Sequence, residues 1–173
     1  MLDTIFARRV TPLTPSQYGY MRVFLITSQQ VPAPPYVGTL RPSTYQALLL
    51  LSLSCHAGVK PAQLARMRVD ALIGADGEPR DHVHIRAETT KHRLAEKVKM
   101  HPDVRRDVLE FCKHHPDKEW VAFVNERGAV ASNRQMSGHG LWKWFQSVFH
   151  IAEVSGAESR GGARVFGNAL RFG

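Results

Sequence analysis

The stretch LSCHAGVKPAQLARMRVDAL, residues 53–72, contains the end of one helix, a turn and the start of a second helix. Gly58 follows an apolar segment, and glycine often ends a helix because it adopts left-handed backbone angles without steric cost. Pro61 is typical of the first position of a helix. Lys60 lies between these two signals, so the sequence predicts a turn that carries one positive charge.

The segments on either side of this turn predict their own elements. Upstream, Ser43 precedes TYQALLLLSLSC, which is apolar almost all round and therefore predicts a central buried helix near residues 44–55. Downstream, the turn ADGEP and the alternation in HVHIRA and EKVKM predict two or three short antiparallel strands. WVAFV predicts a short buried strand or extended segment. Helices are predicted in LTPSQYGYMRVFLITSQ, PAQLARMRV, HPDVRRDVLEFCKHH, GLWKWFQSVFHIAEV and RVFGNALRF.

This order predicts the α+β class: a mainly helical domain with a small antiparallel three-stranded sheet between residues 70 and 100. The βαβ alternation that a Rossmann fold requires does not occur. A chain of 173 residues suits one domain, which we place at residues 13–173, after an N-terminal extension at residues 1–12.

Charge favours a polyanionic partner. The net charge is +8 and the isoelectric point about 9.9, which favours nucleic acid, although a merely soluble basic protein is the alternative on charge alone. Cys55 and Cys112 lie beside apolar helical residues and predict reduced, buried thiols in a cytoplasmic protein. The N-terminus lacks the layout of a signal peptide, and the longest apolar run is too short to span a bilayer, so no membrane association is expected.

Motifs for enzymatic chemistry are sparse. There is no GxxxxGK[ST] loop, no GxSxG and no convincing pair of carboxylates. His82 with His84 and His114 with His115 lack further ligands at zinc-site spacing, so no metal and no cofactor are predicted. A distributed basic set remains: Lys60, Arg66, Arg68, Arg86, Lys91, Arg93, Lys97, Lys99, Arg160 and Arg164.

Taken in order, these patterns resemble the catalytic domain of tyrosine recombinases, the phage integrase family. HAGVKPAQLARMRVDAL occupies the place of the family motif T-G-L-R-x-S-E-L followed by L…D. IRAETTKHRLAEKVKMHPDVRRDVLEF is similar to the family's β-meander and the proline-started helix after it, with Lys91 at the hairpin lysine. RGGARVF, residues 160–166, aligns without gaps to H-x-L-R-[HR]-T-F.

Several positions depart from the family pattern. Lys60 stands at the first catalytic arginine, which grips the scissile phosphate, and so lacks the bidentate guanidinium. Gln63 replaces the acidic residue of the same motif. In RGGARVF, Arg160 stands at the family's histidine, and Ala163, next to Arg164, stands at the second catalytic arginine. The nucleophilic tyrosine of the family follows this last motif, whereas Tyr18, Tyr20, Tyr36 and Tyr45 all precede the motifs and the sequence ends at Gly173.

The resemblance therefore implies a DNA-binding, catalytically inactive recombinase-like protein of mobile-element recombination or its regulation, in a bacterial or phage-type, nucleoid-associated setting. Its expected partner is double-stranded DNA, contacted by Lys60, Arg66, Arg68, Lys91, Arg93, Arg160 and Arg164. In the alternative, the chain is part of an active recombinase whose tyrosine is supplied in trans. A decayed gene product without a selected role is the third interpretation. An apolar surface near the C-terminus is expected to pair with a second copy or a partner recombinase.

Overall fold

The computed structural model describes residues 14–27, 42–86, 94–124 and 134–151. In chain order the elements are α1 (Pro15–Thr27), α2 (Thr44–Ala57), α3 (Pro61–Leu64), a 3₁₀ turn (Val69–Ala71), β1 (His82–Ile85), β2 (Glu96–Lys99), α4 (Pro102–His114) and α5 (Gly138–Ile151). This is an α+β arrangement, as predicted. The extension at residues 1–12 and the helix predicted in RVFGNALRF lie outside the described residues.

Helix α2 is the centre of the domain, as its all-round apolar character predicted. Ser43 caps it, because the Ser43 hydroxyl accepts a hydrogen bond from the Gln46 backbone N–H at 3.2 Å. Gly58 ends it in the left-handed conformation, with φ of 67°. Between these caps every side chain from Gln46 to Ala57 is buried, since α1 packs on one side of the helix and α4 on another.

The helices around α2 bury the residues that their spacing predicted. Helix α1 buries Tyr18, Met21 and Leu25. Helix α4 begins after His101, whose ring nitrogen caps it, and buries Val104, Val108 and Phe111, while Cys112 is only half-buried. Helix α5 places Leu141, Trp144, Phe145 and Val148 in the same core. Both cysteines are free thiols, and Cys55 is fully buried.

Among the described residues the sheet has two of the two or three predicted strands. Strands β1 and β2 pair in antiparallel fashion, with His82 opposite Lys99 and Ile85 opposite Glu96. In place of a third strand, the described residues have only an isolated bridge between Ile73 and Pro79, closed by a turn at Gly77 with φ of 80°. The turn itself was predicted correctly from ADGEP.

WVAFV is a buried extended segment with isolated bridges at Trp120 and Phe123, which is one of the two alternatives predicted. The side-chain amide of Gln46, buried in α2, donates to the carbonyl oxygens of Val121 and Phe123 at 3.1 and 3.0 Å. A helix side chain thus satisfies backbone acceptors that a neighbouring strand would otherwise pair.

Helix α3 is also shorter than the predicted PAQLARMRV. The backbone N–H of Val69 donates to Glu119 at 2.9 Å, and that of Val121 donates to Met67 at 3.1 Å. These bonds draw residues 67–69 into an extended pairing with residues 119–121, so the helix ends early. Among the described residues, no helix combines the length and apolarity needed to cross a bilayer.

Candidate nucleic-acid interface

The turn between α2 and α3 presents Lys60 to solvent. Lys60 occupies the N-cap position of α3 in an extended conformation, and the side-chain oxygen of Gln63 accepts its backbone N–H at 2.9 Å. Gln63, at the family's acidic position, thereby keeps the turn closed while 7% exposed. The Lys60 side chain is exposed and has no ion-pair partner in the described part of the chain.

Arg66 and Arg68 lie just beyond α3 and differ in how their charge is compensated. Arg66 is exposed, and the described residues offer its side chain no carboxylate. Arg68 is half-buried: it donates to Asp70 at 3.3 Å and to Glu119, and its guanidinium lies 5.6 Å from the centre of the Trp120 ring. Of these two arginines, only Arg66 has no acidic partner among the described residues.

A shallow cavity separates the end of α3 from strand β1. Its lining includes Arg66, Arg68, His84 and Arg86, together with Gln63, Met67, Ala71 and Ile85. The partial burial of His84, together with the positive charges of Lys97 and Arg80, holds the pKa of the His84 imidazole below its ordinary value. His84 is a cavity residue that sequence reasoning treated only as one half of HVH. The sequence signal for its location was the alternation of polar and apolar residues in HVHI, which places His84 on the exposed face of β1.

The remaining predicted site residues lie outside the described residues. Lys91 and Arg93 belong to the segment between Arg86 and Leu94, which joins the two antiparallel strands. Arg160, Ala163 and Arg164, and the expected apolar surface near the C-terminus, fall after Ile151. Of the predicted DNA-contacting set, the described residues include Lys60 before the start of α3 and, beyond its end, Arg66 and Arg68, which line one cavity.

A second polar cluster, which sequence reasoning missed, joins α1, α2 and α4. The Arg22 guanidinium donates to both carboxylate oxygens of Asp107 at 2.6 and 2.8 Å, and Asp107 is only 4% exposed. The Tyr18 hydroxyl donates to Asp103 at 3.1 Å. Nε2 of His56 lies 3.3 Å from Asp103. The motif HPD at the start of α4 was the only local hint, since the other partners come from distant segments.

His56, His101 and Asp103 have ligand atoms within 4.8 Å of one another, which is close enough for a metal ion. However, the two imidazole rings are stacked with centres 3.7 Å apart and planes at 1°. A metal ion lies near the plane of each imidazole that binds it, and one ion cannot lie in two parallel planes so far apart. Nδ1 of His101 also accepts the Asp103 backbone N–H at 3.1 Å. The cluster in this geometry is a hydrogen-bonded and stacked network, and we assign no metal to it.

The network determines the protonation of its members. Burial, and then the nearby His101, lower the pKa of His56 to about 4. Burial raises the pKa of the Tyr18 hydroxyl despite the neighbouring Arg22. Tyr18 is therefore a buried structural phenol, held in place by Arg22 and Asp103, and is not suited to act as a nucleophile.

Comparison of the chain with protein-family models, with curated proteins and with solved structures finds no match. The resemblance to tyrosine recombinases accordingly rests on the order and spacing of the sequence motifs alone.

Proposed function

We propose that the protein binds duplex DNA through its phosphate backbone, as a recombinase-like domain that does not cleave the DNA by itself. The observation that supports this most directly is that Lys60 and Arg66, on either side of α3, are exposed and have no acidic partner among the described residues. Arg66 also lines a cavity together with Arg86. Cations without acidic partners attract a polyanion, and phosphate contacts supply most of the sequence-independent affinity for DNA.

The absence of cleavage follows from residue types. In the resemblance, Lys60 and Ala163 stand at the two arginines that stabilise charge on the phosphoryl oxygens. A lysine lacks the guanidinium fork and an alanine provides no donor, so each replacement removes transition-state stabilisation. Losses of this kind act as a unit and cost orders of magnitude in rate. Lys91 alone, as a proton donor to the leaving oxygen, does not restore the reaction.

The binding claim is tested by fluorescence anisotropy of a labelled random duplex over a range of salt concentrations. If four to six phosphates are neutralised, log affinity should fall with log salt at a slope of about −4 to −5. Lys60→Ala, Lys91→Ala and Arg164→Ala should each reduce the slope by about one unit and weaken all sequences similarly. Lys113→Ala is the matched control, because Lys113 is an exposed lysine in the last turn of α4 and is outside the predicted DNA-contacting set. A slope near zero in the wild type refutes the proposal.

The second part is tested with a suicide duplex that carries a 5′-bridging phosphorothioate. The purified chain should form no covalent adduct, and the double variant Lys60→Arg/Ala163→Arg should bind DNA more tightly but still form none. An adduct from the wild-type chain alone contradicts the proposal. An adduct that appears only with a second recombinase chain supports the alternative in which the tyrosine is supplied in trans.

A further inference from the structure

Helix α4 begins at a cap whose capacity to accept a hydrogen bond depends on pH. His101 occupies the N-cap in an extended backbone conformation, and Nδ1 of its ring accepts the backbone N–H of Asp103 at 3.1 Å. Serine, threonine, asparagine and aspartate are the usual N-caps, and their oxygens accept this hydrogen bond at any physiological pH. A histidine nitrogen accepts it only while the imidazole is neutral, because both ring nitrogens of the charged form are donors.

The same contact fixes the tautomer of the neutral His101 ring. Because Nδ1 is the acceptor, the proton of the neutral imidazole lies on Nε2. A second proton can add only to Nδ1, the atom that faces the Asp103 N–H, so two donors would then point at each other. The ring would have to leave this position, and the first turn of α4 would lose its cap. His101 is only half-buried, so a proton can reach it from solvent while the protein is folded.

The stack of His101 on His56 adds a further penalty for a charged ring. The two rings are parallel, with centres 3.7 Å apart, and His56 is buried in α2. Burial, and then repulsion by a charge on His101, lower the pKa of His56, so the two rings resist carrying charge together. The positive end of the α4 dipole also disfavours a cation at the N-cap. Both effects act against a protonated His101 in the stacked position.

The Asp103 carboxylate acts in the opposite direction. Ligand atoms of His101 and Asp103 lie within 4.8 Å of each other, so this carboxylate attracts a charged imidazole. It is already shared, because the Tyr18 hydroxyl and Arg106 each donate to it at 3.1 Å and Nε2 of His56 lies 3.3 Å away. A charged His101 ring that turns towards the carboxylate also gives up the cap. Two further ion pairs flank this end of α4: Arg22 with Asp107 at 2.6 Å and Arg105 with Asp81 at 3.4 Å.

We propose that His101 is a pH-sensitive cap: the neutral ring holds the first turn of α4 in place, and protonation of the ring releases that turn. Asp103 lies in the released turn, so its contacts with Tyr18 of α1 and His56 of α2 loosen with it. Histidine side chains commonly gain a proton between about pH 8 and about pH 5, so we expect the release in mildly acidic solution. This is a property of the fold and does not depend on the proposed function.

NMR spectroscopy of the whole chain tests the cap directly. At about pH 8 the ring nitrogen shifts of His101 should show an unprotonated Nδ1 and a proton on Nε2. The pH is then lowered while exchange of the Asp103 and Arg105 amides with water is measured and corrected for the intrinsic pH dependence of exchange. The Arg105 amide reports the first helical hydrogen bond, which it donates to the His101 carbonyl oxygen at 3.0 Å. Protection of both amides should fall by about fivefold, the typical effect of a lost N-cap, in step with titration of the His101 ring.

Two variants and one internal reference isolate the cap. His101→Asn has a cap that does not titrate, so its first-turn amides should keep their protection across the whole pH range. His101→Ala has no side-chain cap and should show the lower protection throughout. The Gln17 amide is the reference, because it donates to the Thr14 hydroxyl at 3.2 Å at the start of α1, and a hydroxyl does not titrate in this range. Its protection should stay constant.

The outcomes decide the proposal without reference to DNA. A proton on Nδ1 of the neutral ring would overturn it, and so would protection that stays constant while the His101 ring titrates. Equal losses of protection in the wild type and His101→Asn would assign the effect to another group and would also overturn it. If a variant fails to fold, the comparison of ring titration with amide protection in the wild type still decides. The salt titration that tests the proposed function succeeds or fails separately.

Discussion

Acid should destabilise this protein through His56, which is buried between α1 and α4. The His56 ring stacks on His101 at 3.7 Å and meets the Tyr18 ring edge-on at 4.7 Å. Because the folded state holds the pKa of His56 at about 4 against an ordinary value of 6.5, the unfolded chain takes up the proton first. The stabilisation is fully present above about pH 6.5 and is lost as the pH falls towards the folded value.

The size of the effect follows from the two pKa values. With 6.5 for the unfolded chain and about 4 for the folded protein, the free energy of unfolding should decrease by about 2 kcal/mol between about pH 8 and about pH 5 from His56 alone. His84 and His115, whose pKa values are also lowered, add to the total in the wild type. The contribution of His56 is therefore the difference between the wild type and a His56 variant.

Urea unfolding, followed by circular dichroism at several pH values, measures this difference. His56→Gln should lose about 2 kcal/mol of the pH dependence, whatever its stability at neutral pH. His101→Asn provides a second route: asparagine is a good N-cap, so α4 remains capped, while the charge repulsion that helps to lower the His56 pKa is removed. His82→Gln, on the exposed face of β1, should behave as the wild type. Equal pH dependence in the wild type, His56→Gln and His101→Asn refutes the reasoning.

Two further predictions concern the packing that supports the interface. Gly138→Ala should destabilise the protein by about 1–3 kcal/mol in thermal unfolding, because an added Cβ would lie 3.0 Å from the Ala62 Cα. Gly19→Ala is the control: its added Cβ meets nothing within 4 Å, so this variant should be neutral or slightly stabilising. Arg22→Gln should cost about 3–5 kcal/mol in urea unfolding, since it leaves the Asp107 carboxylate buried without its bidentate partner. Arg106 is exposed and pairs with Asp103 and Asp107, so Arg106→Gln should cost no more than about 1 kcal/mol. Equal losses in Arg22→Gln and Arg106→Gln would contradict the conclusion that Arg22 is the partner that stabilises the buried Asp107 carboxylate.

Local sequence determined where several elements begin and end. Ser43, Gly58 and Pro61 each set a helix start or end through the backbone within one turn of them. These helix limits can therefore be predicted without knowledge of the rest of the fold. The burial of Tyr18, Met21 and Leu25 was equally predictable, because helical spacing alone places them on one face. The position of Lys60 on the turn between α2 and α3 followed from the same signals.

Tertiary structure decided what distant segments do to one another. PAQLARMRV has the composition of a longer helix, but pairing of residues 67–69 with residues 119–121 ends α3 at Leu64. For WVAFV the sequence left a strand and an extended segment open, and the buried Gln46 amide donates to the carbonyl oxygens of Val121 and Phe123 in the extended segment that forms. The stack of His56 on His101, and the cavity that Arg66 shares with His84, each join residues far apart in the chain. Such contacts depend on how the helices and strands pack together. The periodicity of one segment shows which of its faces is buried, but it does not indicate which distant segment packs against that face.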